Sequence, residues 1–96
     1  MLFAIIAEDR PDGVERRQAV RPTHLAHLES LGDTLVFAGP FLDAEDKPTG
    51  SLVVIDAASR EEAEAIAARD PFVTQGVFAR YEVRRWNWSL KNPGGR

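Results

Sequence analysis

The sequence predicts an α+β domain of the ferredoxin-like class, a four-stranded antiparallel sheet with both helices on one face, from three observations. Four short runs rich in β-branched and aromatic residues alternate with two amphipathic stretches in the order β-α-β-β-α-β. Turn or helix-stop residues punctuate the chain, notably Pro11-Asp12-Gly13, Gly32, Gly39-Pro40, Gly50 and Pro71. The chain has 96 residues, 44% hydrophobic and 28% charged, which is enough for one core and too little for two.

Leu2-Phe3-Ala4-Ile5-Ile6-Ala7 reads as a strand, and the polar run Glu8 to Gly13 reads as the loop after it. Asp12 with Glu15 has the spacing of a capping box, Leu25, Leu28 and Leu31 make an apolar stripe at helical period, and Gly32 supplies a stop. Pro22 cannot donate to the carbonyl of Gln18 and biases Arg21 away from helical angles, so a kink or restart is expected between Val20 and Pro22.

Thr34 to Ala38 is the second strand, ended by Gly39-Pro40, and Ser51 to Asp56 is the third, after a polar connection from Asp43 to Gly50. Ser59 with Glu62 forms a second capping box ahead of the apolar face Ala63, Ile66 and Ala67, and Pro71 forbids continuation past Asp70. Val77, Ala79, Tyr81 and Val83 alternate with Phe78, Arg80, Glu82 and Arg84, the period of a last strand.

Two helices cover one face of such a sheet, yet the first three strands are apolar at nearly every position, so both of their faces require cover. A second copy of the chain, docked through a two-fold self-complementary interface, is the expected cover. Trp86 and Trp88 lie two apart and so on one side of an extended segment, where they pack on the partner or line a pocket mouth. The domain is expected to span residues 1–90 and the tail, 91–96, to be flexible, because Asn92 to Arg96 has no apolar anchor.

Composition narrows the function. Twelve Lys and Arg against fifteen Asp and Glu leave a net charge of −3, which disfavours nucleic acid and anionic membranes as partners. Without cysteine there is no disulfide, thiolate metal site or thiol nucleophile, so His, Asp and Glu must carry any chemistry. The first apolar run is only six residues long, too short for a signal peptide or membrane span, and a cytoplasmic protein is expected. No phosphate-binding glycine loop, Gly-x-Ser-x-Gly elbow or His-Glu-x-x-His motif is present, and neither a metal nor another cofactor is expected.

His24 and His27 are the only histidines. His24 extends the stripe of Leu28 and Leu31, whereas His27 is turned about 300° away and should titrate near its free value. Asp70 ends a helix against the negative pole of its dipole, an unfavourable place unless the carboxylate serves a turn or an imidazole. Arg21 offers a cation one turn before His24, Gly39, Pro40 and Gly50 suit either turns or close approach to a ligand, and the Ser51 hydroxyl offers a hydrogen bond. Phe41, Phe72 and Phe78 supply walls for a ligand, or plain core or interface.

Arg21-Pro22-Thr23-His24-Leu25, Ala38-Gly39-Pro40, Gly50-Ser51, Asp70-Pro71-Phe72 and Gly76-Val77, with the opening Met1 to Ala7 and the Asp9-x-Pro11-Asp12 loop, are together similar to the YCII-related (YciI-like) family over Met1 to about Trp86. The resemblance implies a ferredoxin-like subunit that pairs through its sheet into a dimeric α/β barrel. It further implies an active site built on a His-Asp pair, here His24 and Asp70. Some relatives are dehydrochlorinases of chlorinated hydroxyquinones, which implies a small-molecule lyase or hydrolase. Two functions stay open. One is a cofactor-independent enzyme in which His24, oriented by Asp70, moves a proton on a small cyclic or aromatic substrate held by Arg21, Gly39, Pro40, Ser51 and Phe72. The other is a ligand-binding or regulatory homodimer without turnover.

Overall fold

In the computed structural model, which describes residues 1–96, Leu2–Asp9 forms strand β1, followed by helix α1 over Val14–Ser30. A 3-10 turn at Gly32–Thr34 leads into β2, Leu35–Leu42, and β3, Pro48–Asp56. Helix α2, Arg60–Arg69, runs almost directly into a short helix α3, Pro71–Thr74, before the last strand β4, Phe78–Arg85. The sheet order is β2-β3-β1-β4 and every pairing is antiparallel, the ferredoxin-like arrangement.

Four local expectations change. Helix α1 is continuous through Pro22. The proline removes one ladder bond, at a cost of roughly 3 kcal/mol, but its ring faces solvent while Arg17, Val20, His24 and Leu28 hold both halves of the helix on the sheet. The helix start carries no side-chain cap: Gly13 occupies the cap, and Asp12 instead takes the left-handed turn at φ 57°.

Strand β2 runs on through Gly39-Pro40 to Leu42. It is an edge strand, where proline need not donate to a second neighbour. The hairpin loop shrinks accordingly, because the Asp43 carboxylate accepts the Glu45 and Lys47 amides, and these bonds lower its pKa below the usual 3.8.

In β4, Glu8 pairs with Arg80 but Asp9 pairs with Phe78, so Ala79 is an extra residue that breaks the alternation. The bulge turns Phe78 towards the helices, where it joins Ala7, Val20, Phe72 and Val77 in a buried cluster.

The main core lies between the helices and the sheet, with Phe3, Ile5, Val53 and Ile55 meeting Leu28, Ala63, Ile66 and Ala67. The second capping box holds α2 in place: the Ser59 hydroxyl accepts the Glu62 amide at 3.1 Å, and the Glu62 carboxylate reaches back to the Ala58 amide at 3.1 Å. On the outer face, Leu2, Ala4 and Val54 are buried beneath the chain's own tail. Trp86 and Trp88 both meet Phe37 edge-on, at 5.8 and 5.3 Å. The tail thus supplies part of the cover that the sequence reading assigned to a second copy. No helix is long and apolar enough to cross a membrane.

Candidate active site

His24 projects from the buried face of α1 towards the junction of α2 and α3, where its Nδ1 lies 2.8 Å from Asp70 Oδ1. Asp70 has a local reason to be there. Pro71 ends α2 and opens α3, and Asp70 becomes the N-cap of α3, accepting the Phe72 amide at 2.9 Å on that same oxygen. A carboxylate unfavourable at the end of one helix is therefore favourable at the start of the next.

The Phe72 ring stacks on the imidazole at 3.7 Å with planes 4° apart, and Phe78 braces it edge-on at 5.5 Å. Because a carboxylate only accepts, Nδ1 carries the hydrogen and Nε2 keeps its lone pair in the neutral ring. No buried side-chain nitrogen or oxygen lacks a partner, and Nε2 bonds to no protein group, so Nε2 is open to solvent.

The sequence reading missed a second polar cluster beside this pair. Arg17 is only 6% exposed, and its Nη1 donates to both oxygens of Asp9 at 2.9 Å. Its Nη2 donates to Ser51 Oγ at 2.7 Å, and its guanidinium stands 4.7 Å from the centre of the Phe72 ring. Burial raises the Asp9 pKa above the usual 3.8, with the bonds and charge of Arg17 pulling the other way. A signal existed: Arg17 lies seven positions before His24, two helical turns along the same buried face, where an arginine needs a partner.

A cavity of about 200 Å³ opens over these groups, lined by Arg17, Arg21, His24, Ser51 and Phe72 and walled by Ala38, Gly39 and Pro40 of the edge strand. Arg21, Gly39, Pro40, Ser51 and Phe72 thus stand around one space with His24, while Asp70 sits behind the imidazole.

Register explains who is absent. Pro40 pairs with Ser51 on the helix side, so Phe41, opposite Gly50, points to the outer face and lines no part of this cavity. Phe78 lies beneath Phe72 as core. Gly50 does serve close approach, but to β1 and not to a ligand, because a Cβ there would collide with the carbonyl oxygen of Ala7. His27 also departs from expectation: burial lowers its pKa below 6.5, opposed by the charge of Asp70 and reinforced by Arg69 and His24. No three His, Cys, Asp or Glu side chains are grouped to hold a metal ion.

A sequence model of the YCII-related domain matches residues 1–87. The chain is 41% identical over 92 residues to protein YciI of Escherichia coli, spanning 88% of this chain and 94% of that protein. An uncharacterised Haemophilus influenzae protein is 38% identical over 87 residues, spanning 82% of this chain and 89% of its own. Among solved structures, the 5-chloro-2-hydroxyhydroquinone dehydrochlorinase TftG of Burkholderia phenoliruptrix, in complex with 2,5-dihydroxybenzoquinone, superposes with a TM-score of 0.84 at 36% identity, covering 91% of this chain and 94% of TftG. An Agrobacterium tumefaciens protein, 12% identical with a TM-score of 0.57 and covering 97% of this chain and 98% of its own, shares the fold alone.

Proposed function

The chain belongs to the YCII-related domain family, and from that premise we propose that it is a small-molecule enzyme in which His24 acts as general acid and base on a single-ring substrate. The observation that carries this reading is the buried 2.8 Å bond between His24 Nδ1 and Asp70, which leaves Nε2 basic on a cavity of one-ring size. About 150 Å³ suffices for benzene, so some 200 Å³ admits a substituted ring.

The dehydrochlorinase activity of TftG suggests the reaction class. His24 Nε2 moves a ring-hydroxyl proton to the carbon that bears the leaving group, making it tetrahedral. Nε2 then takes the proton of a second ring hydroxyl, whose electron pair forms a carbonyl as the ring double bond shifts, and the anionic leaving group departs with its bonding pair to leave a quinone. Asp70 stabilises the resulting imidazolium without taking its proton, which returns to solvent after product release. Arg21, exposed at the cavity and in no ion pair, attracts an anionic substrate oxygen.

The working unit in this proposal is a homodimer paired through the outer sheet face. The two tryptophans cover the part of that face around Leu2, Ala4 and Val54; an open depression of about 650 Å³ remains around Ile6 and Phe41, and Phe41 and Leu42 are exposed. A sedimentation mass near that of one chain, 10.6 kDa, at micromolar concentration would refute the assembly.

The catalytic test is chloride release from 5-chloro-2-hydroxyhydroquinone. His24→Gln and Asp70→Asn should each lower the rate by about 10² to 10⁴-fold while keeping the fold. Wild-type rates in both variants overturn the His-Asp assignment. Wild-type binding of the ring without turnover of any chlorinated analogue gives the site to a ligand-binding dimer.

A further inference from the structure

Ser51 is only 3% exposed, lies on the cavity and takes part in a single side-chain hydrogen bond, the 2.7 Å contact with Arg17 Nη2. That contact has one possible direction, because a guanidinium has five donor hydrogens and no acceptor, while a hydroxyl has one hydrogen and two lone pairs. Arg17 therefore occupies a lone pair of Oγ, and the Ser51 hydrogen is left without an acceptor in the protein. Arg17 itself cannot turn away, since both Asp9 oxygens hold its other nitrogen at 2.9 Å.

The side chains that face this hydrogen across the cavity are of one kind. The cavity is lined by the cations Arg17 and Arg21 and by His24, with no carboxylate among its lining residues. The two nearby carboxylates stand one layer back, Asp9 behind Arg17 and Asp70 behind His24. A chain with a net charge of −3 thus turns cationic side chains and no carboxylate towards a cavity that contains one free, polarised hydroxyl hydrogen.

We propose that Ser51 donates its hydroxyl hydrogen to an anionic oxygen of the bound ring, and that Arg17 is the positioning residue that keeps Ser51 a donor. The site takes rings carrying an ionised hydroxyl in preference to the same ring when neutral. This rests on the cavity being the ligand site, as in the function above, but it concerns binding and needs no turnover.

Two rings separate the possibilities: 2,5-dihydroxybenzoquinone, which is ionised at pH 7, and hydroquinone, whose phenols titrate near 10 and are neutral there. Calorimetric titration of the wild type should show tighter binding of the ionised ring. A hydrogen bond to a charged group corresponds to about 10 to 150-fold in affinity, and Ser51→Ala should lose that factor for the ionised ring while leaving hydroquinone unchanged.

Ser51→Thr should restore most of the affinity. Arg17→Lys keeps a cation but cannot serve Asp9 and Ser51 together, so it should weaken the ionised ring alone. The Thr and Lys variants keep the test valid if the alanine variant fails to fold. Equal weakening of both rings means that Ser51 and Arg17 only hold the fold, and it overturns the proposal, as does undiminished binding of the ionised ring to Ser51→Ala. Failure of the wild type to bind either ring overturns this proposal and the catalytic one together. Selective binding with no chloride release defeats only the catalytic reading.

Discussion

On the helix side of the sheet, Arg17, His24, Ser51 and Asp70 are buried and each is tied to another polar group; on the outer side, Glu8, Arg80, Glu82 and Arg84 pair at the rim in water. The inner groups lost their hydration on folding and can recover it only in one geometry, so each fixes its neighbour. The outer charges keep their water and are interchangeable. Apolar area does the rest of the work there, through Leu2, Ala4 and Val54 under the two tryptophans. Buried polar groups are thus confined to one face, and the other combines apolar area with solvated charge.

The strongest way to break this contrast is to remove one inner partner. Arg17→Met leaves the Asp9 carboxylate buried and unpaired, and should cost about 3–5 kcal/mol in urea denaturation. Asp9→Asn with Arg17→Met should recover a large part of that loss; if the double variant is no more stable than the single one, the pair is not coupled.

Trp88→Ala addresses the outer face. Loss of its edge contact with Phe37 and of its cover over the sheet should cost about 1–3 kcal/mol, read in the same way. Glu8→Gln, at the exposed pair with Arg80, should change stability by less than about 1 kcal/mol, and a larger loss would contradict the view of the rim as solvated.

The smallest effect is confined to one pH window. The folded His27 pKa lies below 6.5, so the folded state prefers the neutral ring: its contribution is whole above that value and is lost as pH falls through it. Melting temperature should therefore drop more for wild type than for His27→Gln between about pH 7.5 and about pH 5.5, and equal slopes would exclude burial of His27 as the cause.

The element order and the face of His24 were legible because hydrophobic period survives tertiary packing. Pro22 misled, because a local propensity was weighed without the buried face that outweighs it. For Phe41 and Phe78 the choice between ligand wall, core and interface stayed open for a different reason. A strand's facing depends on register: the pairing of Pro40 with Ser51 is set within the β2-β3 hairpin, and the bulge at Ala79 by β1 at the other end of the chain. In the sequence Arg17 is one charge among many on a helix; its partners, Asp9 and Ser51, come from two strands that only the folded sheet brings together.

One oxygen, Oδ1 of Asp70, receives both the imidazole of His24 and the backbone amide of Phe72. Electron density drawn from that oxygen by one donor is withheld from the other, so the Phe72 amide resonance should register whatever happens at the imidazole. Occupancy and protonation of the cavity can then be followed at a main-chain nitrogen, without labelling the histidine and without a chromophore in the ligand.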